Sequence, residues 1–427
     1  MSNGSGNIVQ NSLHLHIARS ESRSRKDHRS HRTECISIQD NARSIPPSHI
    51  APSMFNRSKN VTINGGSFQV TNGNSVYEHR INGPGGLELL TKRVAHTAFH
   101  NSAQRIDPPR CHPKTREGVL ENMFEWIMRS EHRDEWILWL NGAAGAGKSA
   151  IMQSLAERCL ACGSLISIAS FFFFKSDATR NNVSGLVATL AYQLIKAIPE
   201  VSNDILQTIE RDPLIFDQAI ESQLQQLIVH LYLNLPAHLR RLLVVFIDGL
   251  DECLGHIQQT TLIKVFGDIA QKHSVPIVFV VASRRERQIE AAFGKEHVTG
   301  VLCTIPLDEL SLAQTSSEIH LYLTDKFDEI KKTHPRKQDL PPNWPQESSI
   351  ERIVQKSSGQ FIYASVVMNF VSTPHTLPST QLSIIENIRP RGATDRPFAN
   401  LDALYKYIFH IRKLHCVSNT VPRDAYV

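Results

Sequence analysis

The sequence predicts an α/β fold: a doubly wound parallel sheet, followed by a helical region and preceded by a disordered tail. Three observations predict it. Apolar runs alternate with helical periodicity between residues 135 and 310. After residue 310 the pattern is helical throughout. Residues 1–50, by contrast, are rich in Ser, Arg, His and Asn and carry almost no apolar periodicity. Strands that are continuously apolar, with helices between them, need both faces of a parallel sheet to be covered.

Taken in order, residues 1–55 read as a basic, Ser-rich disordered tail. Its stretch Arg19–Arg32 could touch phosphates or serve as an import signal, and a solvated tail is the plainer expectation. Residues 56–82 are β-prone and rich in Asn and Gly; within them residues 59–78 set Val, Ile, Phe and Tyr among Thr and Ser between Asn-Gly turns, a hairpin signal. Asn60–Phe68 is faintly echoed by Gln69–Tyr77, a composition that can also stack on copies of itself. Residues 83–134 form a helical connector: a short helix at Leu87–Phe99, an extended stretch set by Pro108, Pro109 and Pro113, and a helix starting near Thr115.

Strands are then expected at Ile137–Asn141, Ser167–Phe174, Leu242–Asp248, Ile277–Ser283 and Val298–Ile305 of a 135–310 domain. Helices are expected at Lys148–Cys162, Val183–Lys196, Ala219–Leu235, Thr261–Lys272 and Arg284–Phe293. Residues 311–407 should form a helical domain, with Thr315–Lys331, Ile350–Gln355, Phe361–Val371 and Leu382–Ile388 as its helices, and 408–427 a divergent tail.

Composition narrows the function classes. The chain has 427 residues, 41% apolar and 20% charged, which excludes global disorder and leaves room for two or three domains at about 150 residues each. Its longest apolar run, Leu165–Phe174, is about half of the ~20 residues that span a membrane, and no apolar segment follows Met1 as a secretory signal would. A cytoplasmic protein with no membrane span is the expectation, and the sequons at Asn56 and Asn60 should stay unmodified. Seven scattered cysteines suit free thiols, and Cys159-x-x-Cys162 suits helix packing. Residues 1–50 hold seven Lys/Arg against four Asp/Glu, while the other 377 hold 39 against 37, so a nucleic-acid partner is not expected.

The chemistry is carried by three motifs. Gly142-Ala143-Ala144-Gly145-Ala146-Gly147-Lys148-Ser149 follows an apolar strand and opens a helix, the sequence of a phosphate loop in a P-loop NTPase. The glycines let successive N–H groups face one concavity at a helix N-terminus. Lys148 is expected to neutralise the β- and γ-phosphates, and Ser149 to offer its hydroxyl to Mg2+. A hundred residues on, the strand Leu242–Asp248 ends in a carboxylate, followed by Gly249, Leu250, Asp251 and Glu252. Asp248 suits a magnesium ion held through its waters, and Asp251 and Glu252 suit a hydrolytic water. Last, Val278–Ser283 is a strand that runs into Arg284. If this strand lies beside the phosphate-loop strand, Arg284 can reach the γ-phosphate, although Arg285 and Arg287 crowd the same turn.

These residues together resemble the NACHT family of signal-transducing P-loop ATPases, most closely the fungal NACHT proteins often labelled nephrocystin-like. The resemblance covers roughly residues 60–407. It includes the tandem acids Asp251-Glu252, Arg110–Arg116, Phe171–Phe174, Ser358–Ala364 and the winged-helix lead-in Leu401–Tyr405. It implies a switch that binds Mg-ATP (or GTP), turns it over slowly and oligomerises on activation, in the intracellular signalling of nonself recognition or regulated cell death. Arg284 matches the family's sensor position, where Arg285 replaces the usual following Pro. The family continues into a winged helix and repeats; no 20–50-residue repeat is found here, and from His410 the sequence departs from the family. The partners implied are a nucleotide, further copies or related NACHT proteins, and a downstream effector reached through the N-terminal segment. The alternative is a protein whose working part is residues 59–78, or a truncated regulator of longer NACHT proteins without turnover. A metabolic P-loop kinase is the remaining class, for which the helical segment and triple acid are unneeded.

Overall fold

The computed structural model describes residues 66–72, 75–81, 85–105, 108–129, 133–272, 276–389 and 398–418. The readings made above for residues 1–65, including Arg19–Arg32 and both sequons, and for residues 419–427, lie outside these. The chain divides into two units, residues 1–89 and 90–427.

Within the first, β1 (Gly66–Asn72) and β2 (Ser75–Ile81) pair antiparallel, with Val70 opposite Tyr77 and Thr71 opposite Val76. The hairpin signal is thus borne out over 66–78, and the second strand continues three residues past it. Helix α1 (Gly86–Arg93) crosses the division, shorter than the Leu87–Phe99 expected. A separate 3-10 turn, His96–Ala98, covers the remainder.

In the second unit, α2 (Glu117–Met128) leads into β3 (Ile137–Asn141), and the phosphate loop joins β3 to α3 (Lys148–Ala161). There follow β4 (Ile166–Phe172), α4 (Leu186–Ala197), α5 (Ser202–Arg211), α6 (Ile220–Leu224) and α7 (His230–Asn234). Next come β5 (Leu242–Asp248), α8 (His256–Gln271), β6 (Ile277–Ser283), α9 (Arg287–Phe293) and β7 (Leu302–Pro306). The five strands run parallel in the order β4-β5-β6-β3-β7. Strands β3, β4 and β6 are buried at every position, which is why they read as continuous apolar runs.

Alternate residues divide between two helical layers. Leu138, Leu140, Val244 and Val280 pack with Met123, Ile127, Ile151 and Leu155 of α2 and α3. From the other face Phe279 stacks on Phe266 of α8, and Trp139 on Phe293 of α9, with ring centroids 4.3 and 4.4 Å apart. The sheet is doubly wound, as expected.

Several elements differ from the sequence reading. Helix α5 was not expected, because only Ile205 and Ile209 of its ten residues are buried. The helix expected over Ala219–Leu235 is split into α6 and α7 by a π turn at Gln225–Val229. Strand β7 starts four residues late: Val298 and Val301 are apolar, but they close a turn through Gly300, whose φ of +83° favours glycine. Helix α9 starts at Arg287 rather than Arg284, because Glu286 ahead of it is in extended backbone; the Arg284 N–H is donated to the Asp251 carboxylate.

The remaining helices are α10 (Leu312–Thr333), α11 (Glu347–Ser357), α12 (Phe361–Val371), α13 (Pro378–Asn387) and α14 (Ala399–Ser418). They gather a second core from Leu323, Phe327, Ile353, Val367, Ile385 and Leu404. Among the described residues no helix is long and apolar enough to cross a membrane.

Candidate functional site

The strand order sets the site. Strand β6 lies between the phosphate-loop strand β3 and the acidic strand β5, with Asn141 level with Ser283. Asp248 is level with Phe172 on β4. The C-terminal ends of β3, β5 and β6 therefore meet at one edge, the usual ligand-binding edge of an open parallel sheet. The condition placed on Arg284, a β6 strand beside β3, is met.

The phosphate loop curls through Gly145 (φ +77°) and Gly147 (φ +98°), both in the left-handed region. Lys148 folds back over its own loop, donating to the carbonyls of Gly142 at 2.7 Å and Ala143 at 2.9 Å. Burial lowers its pKa, an effect that Asp251 and Asp248 oppose. The loop's other side is pinned by a group the sequence did not flag: Asp308, just after β7, accepts the Ala143 N–H at 3.0 Å.

Asp248 is 4% exposed. Burial pushes its carboxyl up to about 6, against hydrogen bonding from the Ser149 side chain and the pull of Arg105 and Lys148. Its Oδ1 has no hydrogen-bond partner. Asp251 is differently placed: Oδ1 accepts the Arg284 N–H at 3.0 Å and Oδ2 faces Arg284 Nε at 3.1 Å. The Asp251 side chain is 5% exposed and that of Arg284 51%. Glu252 accepts the Lys175 N–H at 3.1 Å through Oε2. Arg285 turns outward to Glu290, 2.7 Å away.

Lys148, Ser149, Asp248, Asp251, Glu252 and Arg284 all line one cavity of about 820 Å³, with Gly145 and Gly147. Gly142, Ala143, Ala144 and Ala146 complete the loop, of which Ala144 also reaches the cavity. That volume is in the range of small-molecule and cofactor sites. The opposite wall is one that sequence reasoning missed. It comes from the proline-stiffened connector, Pro108–Pro113, and from Tyr322 of α10 and Phe361 and Ile362 of α12. Ile362 approaches so closely that a Cβ on Gly145 would lie 2.2 Å from its Cγ2. The Arg110–Arg116 and Ser358–Ala364 stretches gave the signal for this wall, but nothing in them says that they meet.

The donor set suits a divalent cation with a polyphosphate. Arg110, Arg116, Lys148, Arg284 and Lys326 bring positive charge to a cavity that suits a polyanion, while the carboxylates Asp248, Asp251 and Glu252 are hard oxygen ligands of the kind that favour magnesium. The unpartnered Asp248 oxygen beside the Ser149 hydroxyl is where such an ion's water shell fits.

Residues 114–284 match the family described as Nephrocystin 3, N-terminal. The vegetative incompatibility protein HET-E-1 of Podospora anserina is 22% identical over 346 residues, covering 75% of this chain and 23% of that protein. The chain thus spans about a quarter of that relative's length. Among solved structures, a Walker-type ATPase of Pyrococcus abyssi is 12% identical with a TM-score of 0.42, over 74% of this chain and 79% of that one. A chain from the structure of Drosophila ORC bound to DNA is 12% identical with a TM-score of 0.33, over 74% of this chain and 70% of that one. The region matched by the family model, residues 114–284, carries the phosphate loop, the tandem acids and Arg284.

Proposed function

We propose that the chain is a cytoplasmic nucleotide-dependent switch that binds Mg-ATP (or Mg-GTP) in the 820 Å³ cavity and self-associates with further copies or related NACHT proteins. The observation that carries this is a buried Asp248, one of whose oxygens is left unpartnered, in the same cavity as the Ser149 hydroxyl and Lys148. In this reading the N–H groups from Gly142 to Ser149 cradle the phosphates. Lys148 leaves its two loop carbonyls for the β- and γ-phosphate oxygens. Ser149 and Asp248 hold the magnesium ion, which when bound neutralises charge on the phosphates.

The pairing of Arg284 with Asp251 gives the switch its logic. While the guanidinium occupies Asp251, that carboxylate cannot accept a proton from water. A γ-phosphate competes for the same guanidinium, and drawing it away frees Asp251 to orient the attacking water beside Glu252. A diphosphate offers no such competitor, so the pair re-forms. Hydrolysis is then slow, because the base is available only when Arg284 has moved.

Equilibrium binding of a fluorescent nucleotide with magnesium tests the assignment. Lys148→Ala should weaken affinity at least tenfold; equal affinity in the two proteins would remove the reading. A second reading, interaction through residues 59–78, is favoured by the β1–β2 hairpin. Among the described residues neither strand pairs with a third, leaving backbone edges open to strand addition. A peptide of residues 55–80 that stays monomeric and dye-negative at high concentration would sink that reading.

A further inference from the structure

The connector ahead of α2 bends sharply. Lys114 (φ +64°) and Arg116 (φ +57°) both sit in the left-handed region that non-glycine residues rarely adopt. This bend carries Arg116 inward, where its side chain is only 6% exposed. Its Nη2 donates to the carbonyl of Ala146 in the phosphate loop at 3.2 Å, and Nη1 donates to Thr315 Oγ1 on α10 at 3.4 Å. The guanidinium carbon lies 5.1 Å from the Phe361 ring centroid at the start of α12. Its counter-charge is Glu318 on α10, 12% exposed, with Oε2 3.6 Å from Arg116 Nε; neither of these two atoms has a hydrogen-bond partner. Buried ion pairs made at such a distance add little net stability, yet removing one partner strands the other charge.

The contact is part of a longer seam. Thr315, Glu318, Tyr322 and Asp325 recur at three- and four-residue spacing and so share one face of α10. His112 of the connector meets the same face, edge-on to Tyr322 at 5.3 Å and 2.8 Å from Asp325 through Nε2. The connector is thereby fastened to α10 at two points, and Arg116 alone of these extends the fastening to the phosphate loop.

We infer that Arg116 is a positioning residue whose single guanidinium holds the phosphate loop and α10 in one arrangement, so that α10 cannot leave the nucleotide cavity without disturbing the Ala146 turn of the loop. This inference rests on the nucleotide-switch reading for its consequence: release of bound nucleotide is limited by breaking the Arg116–Glu318 contact. The grip itself is a property of the ligand-free chain.

The test uses the full chain and two conservative variants, Arg116→Lys and Glu318→Gln. A lysine keeps the charge but cannot span Ala146 and Thr315 together. Hydrogen exchange without nucleotide should rise at least threefold over residues 312–325, and also over residues 142–149, in both variants, with residues 242–248 unchanged. Release of a fluorescent nucleoside diphosphate should quicken at least fivefold. Exchange that rises in 312–325 alone, or uniformly including 242–248, would overturn the inference, as would release within twofold of wild type. If wild type takes up no diphosphate, the nucleotide reading fails by itself, and the exchange pattern still decides the grip. If Arg116→Lys does not fold, Glu318→Gln, which preserves shape, decides alone.

Discussion

Asp248 shows how a single burial can set both stability and readiness to bind. Its carboxyl is held up to about 6 in the fold, against about 3.9 in an unfolded chain. The folded state therefore binds more protons between those values, and the sign follows: stability falls as pH rises from about 4 to about 6, and stays lower above. The shift corresponds to roughly 3 kcal/mol at most. Urea unfolding without metal or nucleotide should show this decline, and Asp248→Asn should flatten it and stabilise the chain at pH 7.5. A variant with the wild-type pH slope would show that the proton is held elsewhere. Gly145 offers a second residue-scale test. Alanine there meets Ile362 and also needs a φ of +77°, so Gly145→Ala should cost about 1–3 kcal/mol, read as a lowered denaturation midpoint.

At the scale of elements, what could be read from the sequence was what is local. Strands β3, β5 and β6 begin and end where their apolar runs do, because burial on both faces leaves no polar position to blur the pattern. The phosphate loop and the acids after β5 were legible for the same reason: each is a short segment whose residue types carry its geometry. Helix α5 escaped because two buried isoleucines in ten residues are too few to set a period. Asp308 escaped because its role is a contact with Ala143, 165 residues earlier, and a lone carboxylate after a strand carries no spacing to read. The wall formed by the connector and α12 escaped likewise, since Gly145 and Ile362 meet only once both cores are built. The Asp308 contact can be tested by itself. Asp308→Asn keeps shape but weakens a charge-assisted hydrogen bond to the loop, so nucleotide affinity should fall by about tenfold at most, well short of the Lys148→Ala loss. An affinity loss as large as that of Lys148→Ala would mean that Asp308 meets the ligand itself.

For residues 90–427 taken whole, two hydrophobic cores share one cavity. The sheet core holds Leu138, Val244 and Val280, and the helical core holds Phe327, Trp344 and Val367. A ligand in the cavity touches walls supplied by elements of both, so its binding energy should couple their unfolding. The tryptophans make this measurable: Trp126 and Trp139 report on the sheet side, while Trp344 lies in the helical core, edge-on to Phe327. At a free Mg-nucleotide concentration a hundred times its Kd, binding should add about 2.7 kcal/mol to the folded state. The melting midpoint seen by the wild-type fluorescence, and that seen in Trp344→Phe, where only the sheet side reports, should then rise by the same amount. If the nucleotide raised the sheet signal while the Trp344 contribution melted at its ligand-free temperature, the helical wall would not be part of the bound site. The switch reading would then lose the element that it needs to carry the state of the phosphate loop to the rest of the chain.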